Sequence, residues 1–249
     1  MKVSIVTPAY NCKSTIADCL ESIKCQSVPC EHIVVDGASF DKTAQFVRSV
    51  SPLSRVISEP DNGIYDAMNK GIMLATGDIV GILNADDFYV DENVIEKVVQ
   101  AFDNNPIDAL IADLVYVRPD KLDKIVRYYS SANFALDKFE SGWMPPHPTF
   151  FVKRKCYEQF GLYKTDYKIA ADFELLARFM VKNHIIYHYL PEVIIKMRIG
   201  GASTKNIRSN LILNREIVRA CAENDIKTNY FKVYSKYFTK LFQLVCRPK

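Results

Sequence analysis

Five apolar runs of strand length alternate with four amphipathic helical patterns over residues 1–117, and this alternation constrains the fold more than any other feature of the chain. "VSIVT" (3–7) is a short buried-type strand closed by Pro8. Helical spacing follows over 14–24, through Ile16, Cys19, Leu20 and Ile23. "HIVVDG" (32–37) reads as the second strand, 41–50 as a helix and "RVIS" (55–58) as the third strand. The clearest helix covers 63–77, where Ile64, Ala67, Met68, Gly71, Ile72 and Ala75 share one face and Gly77 stands where a C-cap would. "DIVGILN" (78–84), a helix over 94–102 and a strand over 107–117 complete the series. Strands separated by helices are joined by crossovers, which predicts a mostly parallel, Rossmann-like sheet flanked by helices. Ligands of such sheets bind beyond the carboxyl ends of the strands. Asp36 and the adjacent pair Asp86 and Asp87 all fall at that edge.

The second half is less regular. Residues 118–146 read as a long loop with one strand near 125–129, ending in "GWMPPHP". "TFFV" (149–152) is a short strand. Helices are expected over 154–160 and 171–182, strands over 185–190 and 193–199, and a helix over 206–224 before a final stretch, "YFKVYSKYFTKLFQLV". The 249 residues show no internal repeat, low-complexity tract or linker, and suit one α/β domain over 1–204 with a helical extension over 205–249.

Composition narrows the function classes. A net charge of +3 gives no reason to expect nucleic acid as a partner. The seven cysteines include no CxxC pair, so reduced thiols are expected rather than zinc or a disulfide framework. No secretory leader is visible, and no window approaches the roughly 18 apolar residues of a membrane helix. A cytoplasmic location is therefore expected, with attachment to the inner face of a membrane left open.

Two adjacent carboxylates repel one another, so Asp86 and Asp87 gain nothing from proximity unless solvent, a cation or a helix start absorbs the charge. A hard divalent cation such as Mg²⁺ or Mn²⁺ prefers carboxylate oxygens and shares them with substrate phosphates. Capping the helix that begins near 94 is the plainer role, although Asp91 and Asn93 stand closer to that helix.

The strings "VSIVTPAYN", "IVVDGASFDKT", "DNGIYDAMNKGIMLATGD" and "LNADD", in this order and spacing, resemble the family 2 glycosyltransferases. Those are inverting enzymes of the GT-A fold that use nucleotide-diphosphate sugars. The likeness is strong to about residue 110 and looser to about 204. It implies a nucleotide-sugar-binding half (1–117) and an acceptor-side half (118–204).

The resemblance also implies roles. Thr7, Pro8 and Tyr10 would lie by the base, and Asp36 would bond the base or ribose. The family often has "DDGS" at this point, where this chain has Gly37–Ala38–Ser39, leaving Asp36 alone. Asn84–Ala85–Asp86 matches the family's DxD motif with Asn in place of the first acid. The metal therefore falls to Asp86, with Asp87 as second ligand or orienting neighbour. Asp66, Asn69 and Lys70 would border the donor sugar or a phosphate. Asp172 matches the second acid of an "ED" motif, with Ala171 in place of Glu, and would be the general base. Helix N-capping is the alternative for it. Trp143 and His147 would face the acceptor, and "RIGGAST" (198–204) resembles a phosphate-binding turn.

What this implies is a metal-dependent transferase that moves a single sugar, a UDP-sugar being favoured as donor, to a glycan or lipid-linked acceptor in surface polysaccharide synthesis. The "QxxRW" string of processive synthases is absent. A sugar-1-phosphate nucleotidyltransferase would need a Gly-rich loop where "TPAYNCKST" stands, and a receiver-type module would be about half as long. A non-catalytic nucleotide-sugar-binding protein of the same fold remains the other reading. The last stretch sets Phe231, Tyr234, Phe238, Leu241, Phe242 and Val245 near one helical face flanked by Lys232, Lys236, Lys240 and Arg247. Such a helix suits a lipid interface, its own core or a homodimer.

Overall fold

The computed structural model describes residues 1–200 and 207–234. Most of the "GGAST" turn and everything after residue 234, including Phe238, Leu241, Phe242 and Val245, lies outside the described residues. The strands are β1 (Val3–Ala9), β2 (Glu31–Asp36), β3 (Arg55–Ser58), β4 (Ile79–Ile82), β5 (Phe88–Tyr89), β6 (Ala109–Arg118), β7 (Lys121–Tyr129), β8 (Phe151–Lys153) and β9 (Tyr187–Arg198). The helices are α1 (Ile16–Lys24), α2 (Thr43–Val50), α3 (Ile64–Leu74), α4 (Val94–Asn104), α5 (Arg154–Phe160), α6 (Ala171–Ala177) and α7 (Ile207–Glu223). A π-helical stretch, Arg178–Lys182, continues α6.

Among the described residues the strands form one sheet in the order β3-β2-β1-β4-β8-β6-β9-β5, with β7 paired to β6. The first four are mutually parallel, as crossover connections require. β8 then enters antiparallel to both β4 and β6, and β6 pairs parallel with β9. Residues alternate between two apolar layers with the strand period of two. Val6, Ile33, Val35, Val80 and Ile82 face α3 and the second half of the chain. Ile5, Val34 and Ile79 face α1, α2 and α4. α3 lies so close to the sheet that a Cβ on Gly71 would sit 2.2 Å from Val6 Cγ1.

Three local expectations are revised. α3 ends at Leu74, and Gly77 does not cap it. Instead the Gly77 N–H donates to Ser4 Oγ at 2.8 Å, and a Cβ there would lie 2.8 Å from the Ser4 backbone nitrogen. β9 runs unbroken through Pro191, because the register with β6 shifts there and leaves no ladder bond for the missing N–H. The 118–146 region is also more ordered than a loop, since β7 starts at Lys121 and a 3₁₀ turn covers Leu136–Ser141.

A buried polar chain runs beneath the parallel strands. His32, 6% exposed, bonds Thr7 Oγ1 through Nε2 at 3.1 Å and Ser54 Oγ through Nδ1 at 2.8 Å. Burial lowers its pKa from 6.5 to about 4. The unfolded chain therefore takes up a proton near pH 6.5 that the folded chain refuses until about pH 4. Stability from this group is complete above pH 6.5, and about 3 kcal/mol of it is lost as pH falls to 4. Melting curves of wild type and His32→Gln between pH 7.5 and about 4 test this. The wild type should lose stability more steeply, and parallel slopes would refute the assignment.

Candidate active site

Two loops at the carboxyl ends of neighbouring parallel strands are laced together. After β1, the N–H groups of Asn11, Cys12 and Lys13 donate to Ser39 Oγ, Thr43 Oγ1 and Asp41 Oδ2 at 2.8, 3.1 and 3.0 Å. Asn11 Oδ1 in return accepts the Phe40 N–H at 3.0 Å. Asn11, Ala38 and Lys42 take left-handed backbone angles to make these turns, with φ of 48°, 57° and 68°. The result is a fixed ledge carrying Tyr10, 57% exposed, in edge contact with the exposed ring of Phe40.

Beside this ledge opens a cleft of about 810 Å³. Its walls include Pro8, Tyr10 and Asn11 from the first loop, Gly37 from the second, Asp61, Gly63 and Tyr65 at the start of α3, Asn84 and Asp86 after β4, and His147, Lys168 and Asp172. Pro8, Tyr10, Asn84, Asp86, His147 and Asp172, singled out in the sequence, therefore converge on one space. Asp172 keeps 15% exposure, with Oδ2 3.2 Å from His147 Nδ1 and Oδ1 accepting the Phe173 N–H at 2.8 Å. Burial raises its pKa above the ordinary aspartate value, and His147 opposes the rise. It does not cap α6, whose N-cap position is Ala170.

The remaining candidates lie off the cleft, each for a visible reason. Thr7 points into the sheet toward His32. Asp36 is fully buried: Oδ2 accepts the Ser39 N–H at 3.1 Å and the Ser58 hydroxyl at 2.6 Å, while Oδ1 takes the Ser39 hydroxyl. It ties the ends of β2 and β3 and presents no oxygen to a nucleotide. Asp61 stands at the rim in its stead, so tight against Gly37 that a Cβ there would lie 2.3 Å from Asp61 Oδ2. A side chain at position 37 would require the Asp61 carboxylate to move.

On α3, Asp66 accepts the Asn62 N–H at 2.9 Å. Lys70 is held by the Pro60 carbonyl at 2.8 Å and by Glu59 at 2.9 Å. Asn69 mimics a strand, giving Nδ2–H to the Tyr163 carbonyl at 2.8 Å and accepting the Tyr163 N–H at 2.9 Å. Trp143 packs on Tyr129 and Phe134. Asp61 and Lys168 were missed because each sits in a loop with no periodicity. The only local signal was the "DNG" turn, in which Asp61 Oδ1 accepts the Gly63 N–H.

Asp87 is buried behind Asp86, and burial together with the Asp86 charge pushes its pKa well up. Asn84 Nδ2 donates to Asp87 Oδ2 at 3.2 Å, which leaves Asn84 Oδ1 and Asp87 Oδ1 buried with no protein partner. Arg198 braces this turn by donating to the Asp86 carbonyl and pairing with Asp18. Among the described residues no group of three or more His, Cys, Asp or Glu is arranged to hold a metal ion. A hard cation at this edge would therefore take the Asp86 carboxylate as its protein ligand and the rest from phosphate and water, a donor set that suits Mg²⁺ or Mn²⁺.

The sequence profile of Glycosyl transferase family 2 matches residues 4–162. A PGL/p-HBAD biosynthesis glycosyltransferase of Mycobacterium bovis is 26% identical over 223 residues, covering 87% of this chain and 82% of that protein. The fold is similar to that of S. aureus TarS 1–349 in complex with UDP, with a TM-score of 0.68 and 17% identity over 91% of this chain and 67% of that one. It is also similar to mannosyltransferase PcManGT from Pyrobaculum calidifontis in complex with GDP-Man and Mn²⁺. That match has a TM-score of 0.65 and 19% identity over all of this chain and 76% of the other.

Proposed function

This chain belongs to glycosyl transferase family 2, and from that premise we propose that it transfers one sugar, with inversion, from a nucleotide-diphosphate sugar to a glycan or lipid-linked acceptor. The observation that carries the reading is that Asp86 and Asp172, from separate elements, line the same cleft as the exposed ring of Tyr10. Tyr10 and Pro8 would receive the base, with Asp61 and Gly37 closing the rim around the ribose. Asp172 would take the proton of the acceptor hydroxyl as that oxygen attacks the anomeric carbon. Its raised pKa suits it to hold that proton. His147, beside Asp172 Oδ2, would orient the carboxylate. A divalent cation on Asp86 would neutralise the charge that develops on the departing diphosphate.

A UDP-sugar is the favoured donor, by analogy with the UDP complex of TarS. The mycobacterial relative, named for PGL/p-HBAD biosynthesis, supports a lipid-linked or glycan acceptor. No helix among the described residues is long and apolar enough to cross a membrane. For a membrane-borne acceptor, the segment after residue 234, with its aromatic and basic residues, would be one route of attachment.

The test is a thermal-shift panel of UDP-, GDP- and dTDP-sugars with and without Mn²⁺. A UDP-sugar at 100 times its Kd should add about 2.7 kcal/mol of stability. If no nucleotide sugar raises the melting temperature, the reading fails.

A further inference from the structure

Helix α6, which carries Asp172, has no cap of its own. Ala170 stands at its N-cap position and offers no side-chain acceptor, although the free amides of a helix start need one. A carboxylate from α7 instead holds the residues that lead into the helix. Glu216 Oε1 takes the Lys168 N–H at 2.7 Å, and Oε2 takes the Ile169 and Ala170 N–H groups, both at 2.9 Å. Three consecutive amides thus converge on one carboxylate. From the opposite side, the Tyr65 hydroxyl on α3 donates to the Ile169 carbonyl at 2.5 Å. Tyr65, Lys168 and Ile169 are themselves cleft-lining residues. α7 is held firmly enough to act as an anchor, because Ile217, Ala220 and Cys221 share a buried cluster with Phe173, Leu176 and Ala177 of α6.

We propose that Glu216 is a positioning residue for Asp172. By gripping segment 168–170 against Tyr65, it fixes the start of α6 and so the distance from the base to the donor side of the cleft. α7 lies outside residues 4–162 of the family match. It is on this view a working part of the transferase and not an appendage. The inference rests on Asp172 acting as the base.

The physical reason for a rate effect is geometric. A charged acceptor shared by three amides resists rotation of the segment, and misplacing a reacting group by 1 Å can cost about 100-fold in rate. Glu216→Ala and Glu216→Gln in the full chain test it, with UDP-sugar turnover and backbone amide exchange of segment 168–170 as readouts. Glu216→Ala should lower kcat by about 30- to 100-fold and leave the donor KM within about twofold, because Tyr10 and Asp86 are untouched. Glu216→Gln keeps one of the two acceptor oxygens, enough for the Ile169 and Ala170 amides, and should recover part of kcat. Amides 168–170 should exchange slowly in the wild type and rapidly in Glu216→Ala, while Glu216→Gln should protect Ile169 and Ala170 and release Lys168.

A wild-type kcat in Glu216→Ala, or equal exchange in wild type and Glu216→Ala, overturns the proposal. Exchange is measured without substrate, so it bears on the clamp independently of turnover. A wild-type chain that binds no nucleotide sugar would overturn the transferase reading instead. If Glu216→Ala does not fold, Glu216→Gln decides: its kcat should lie below that of the wild type with the donor KM unchanged, and a wild-type kcat in a chain whose Lys168 amide has lost protection overturns the proposal.

Discussion

Asp172→Asn should abolish sugar transfer to within the background, a drop of about 10²- to 10⁴-fold, the usual contribution of a positioned general base. The amide keeps the shape of the carboxylate and its bond to the Phe173 N–H, but it cannot accept a proton from the acceptor hydroxyl. Donor-induced thermal stabilisation should be unchanged, because the residues assigned to the nucleotide lie on the other wall. Among the carboxylates lining the cleft, Asp61 is committed to the Gly63 N–H and packs on Gly37, and Asp86 is assigned to the diphosphate. The pH profile adds a second readout. Burial raises the Asp172 pKa, as does the charge of Glu216, while His147 lowers it. The base works only when ionised, so the rate should fall as pH drops through a value above that of an ordinary aspartate. His147→Ala should move that fall to higher pH. A variant Asp172→Asn that retains more than a tenth of wild-type transfer would remove Asp172 from the mechanism.

Asp86→Ala should cost about 10³-fold in turnover, equivalent to roughly 4 kcal/mol of transition-state stabilisation. It should also abolish the Mn²⁺-dependent part of donor-induced stabilisation. Asn84 supplies an amide and no charge, and Asp87 is buried with its pKa pushed up, so neither replaces the lost carboxylate. The substitution removes little packing, because the turn is held through the Asp86 backbone carbonyl by Arg198. The fold should therefore survive, and circular dichroism checks that. Mn²⁺-dependent turnover persisting in Asp86→Ala would show that the cation is held elsewhere.

The contrast between the two halves of the chain shows which signals a sequence carries. β1, β2 and β4 are read correctly because each is a largely apolar run between helices, and burial on both faces needs nothing more. β5 is invisible because two residues show no period, and only pairing with Lys196 and Ile195 makes it a strand. Polar residues divide by a similar logic. Asp86, His147 and Asp172 reach the cleft, but Asp36 and Asn69 have the right chemistry and spend it on Ser39, Ser58 and the Tyr163 backbone. Residue type cannot reveal whether a carboxylate is already satisfied. Glu216 escaped notice for the opposite reason, since its partners lie 46 to 48 positions away and a glutamate on a helix face looks like a solvated one.

The seam between α3 and the stretch 161–170 is crossed by the Asn69–Tyr163 pair, the Tyr65–Ile169 bond and the stacked rings of Tyr65 and Tyr163, whose centroids are 5.8 Å apart. A protein engineer exchanging donor preferences between relatives would be drawn to cut where the family profile ends, at residue 162. That cut passes between Asn69 and its partner. A chimera joined there would leave the Tyr163 backbone unpaired and the ring of Tyr65 without its neighbour, so its halves would melt apart before either met a sugar. A chimera that keeps these contacts would carry the first half together with residues 161–170, past the end of the family profile.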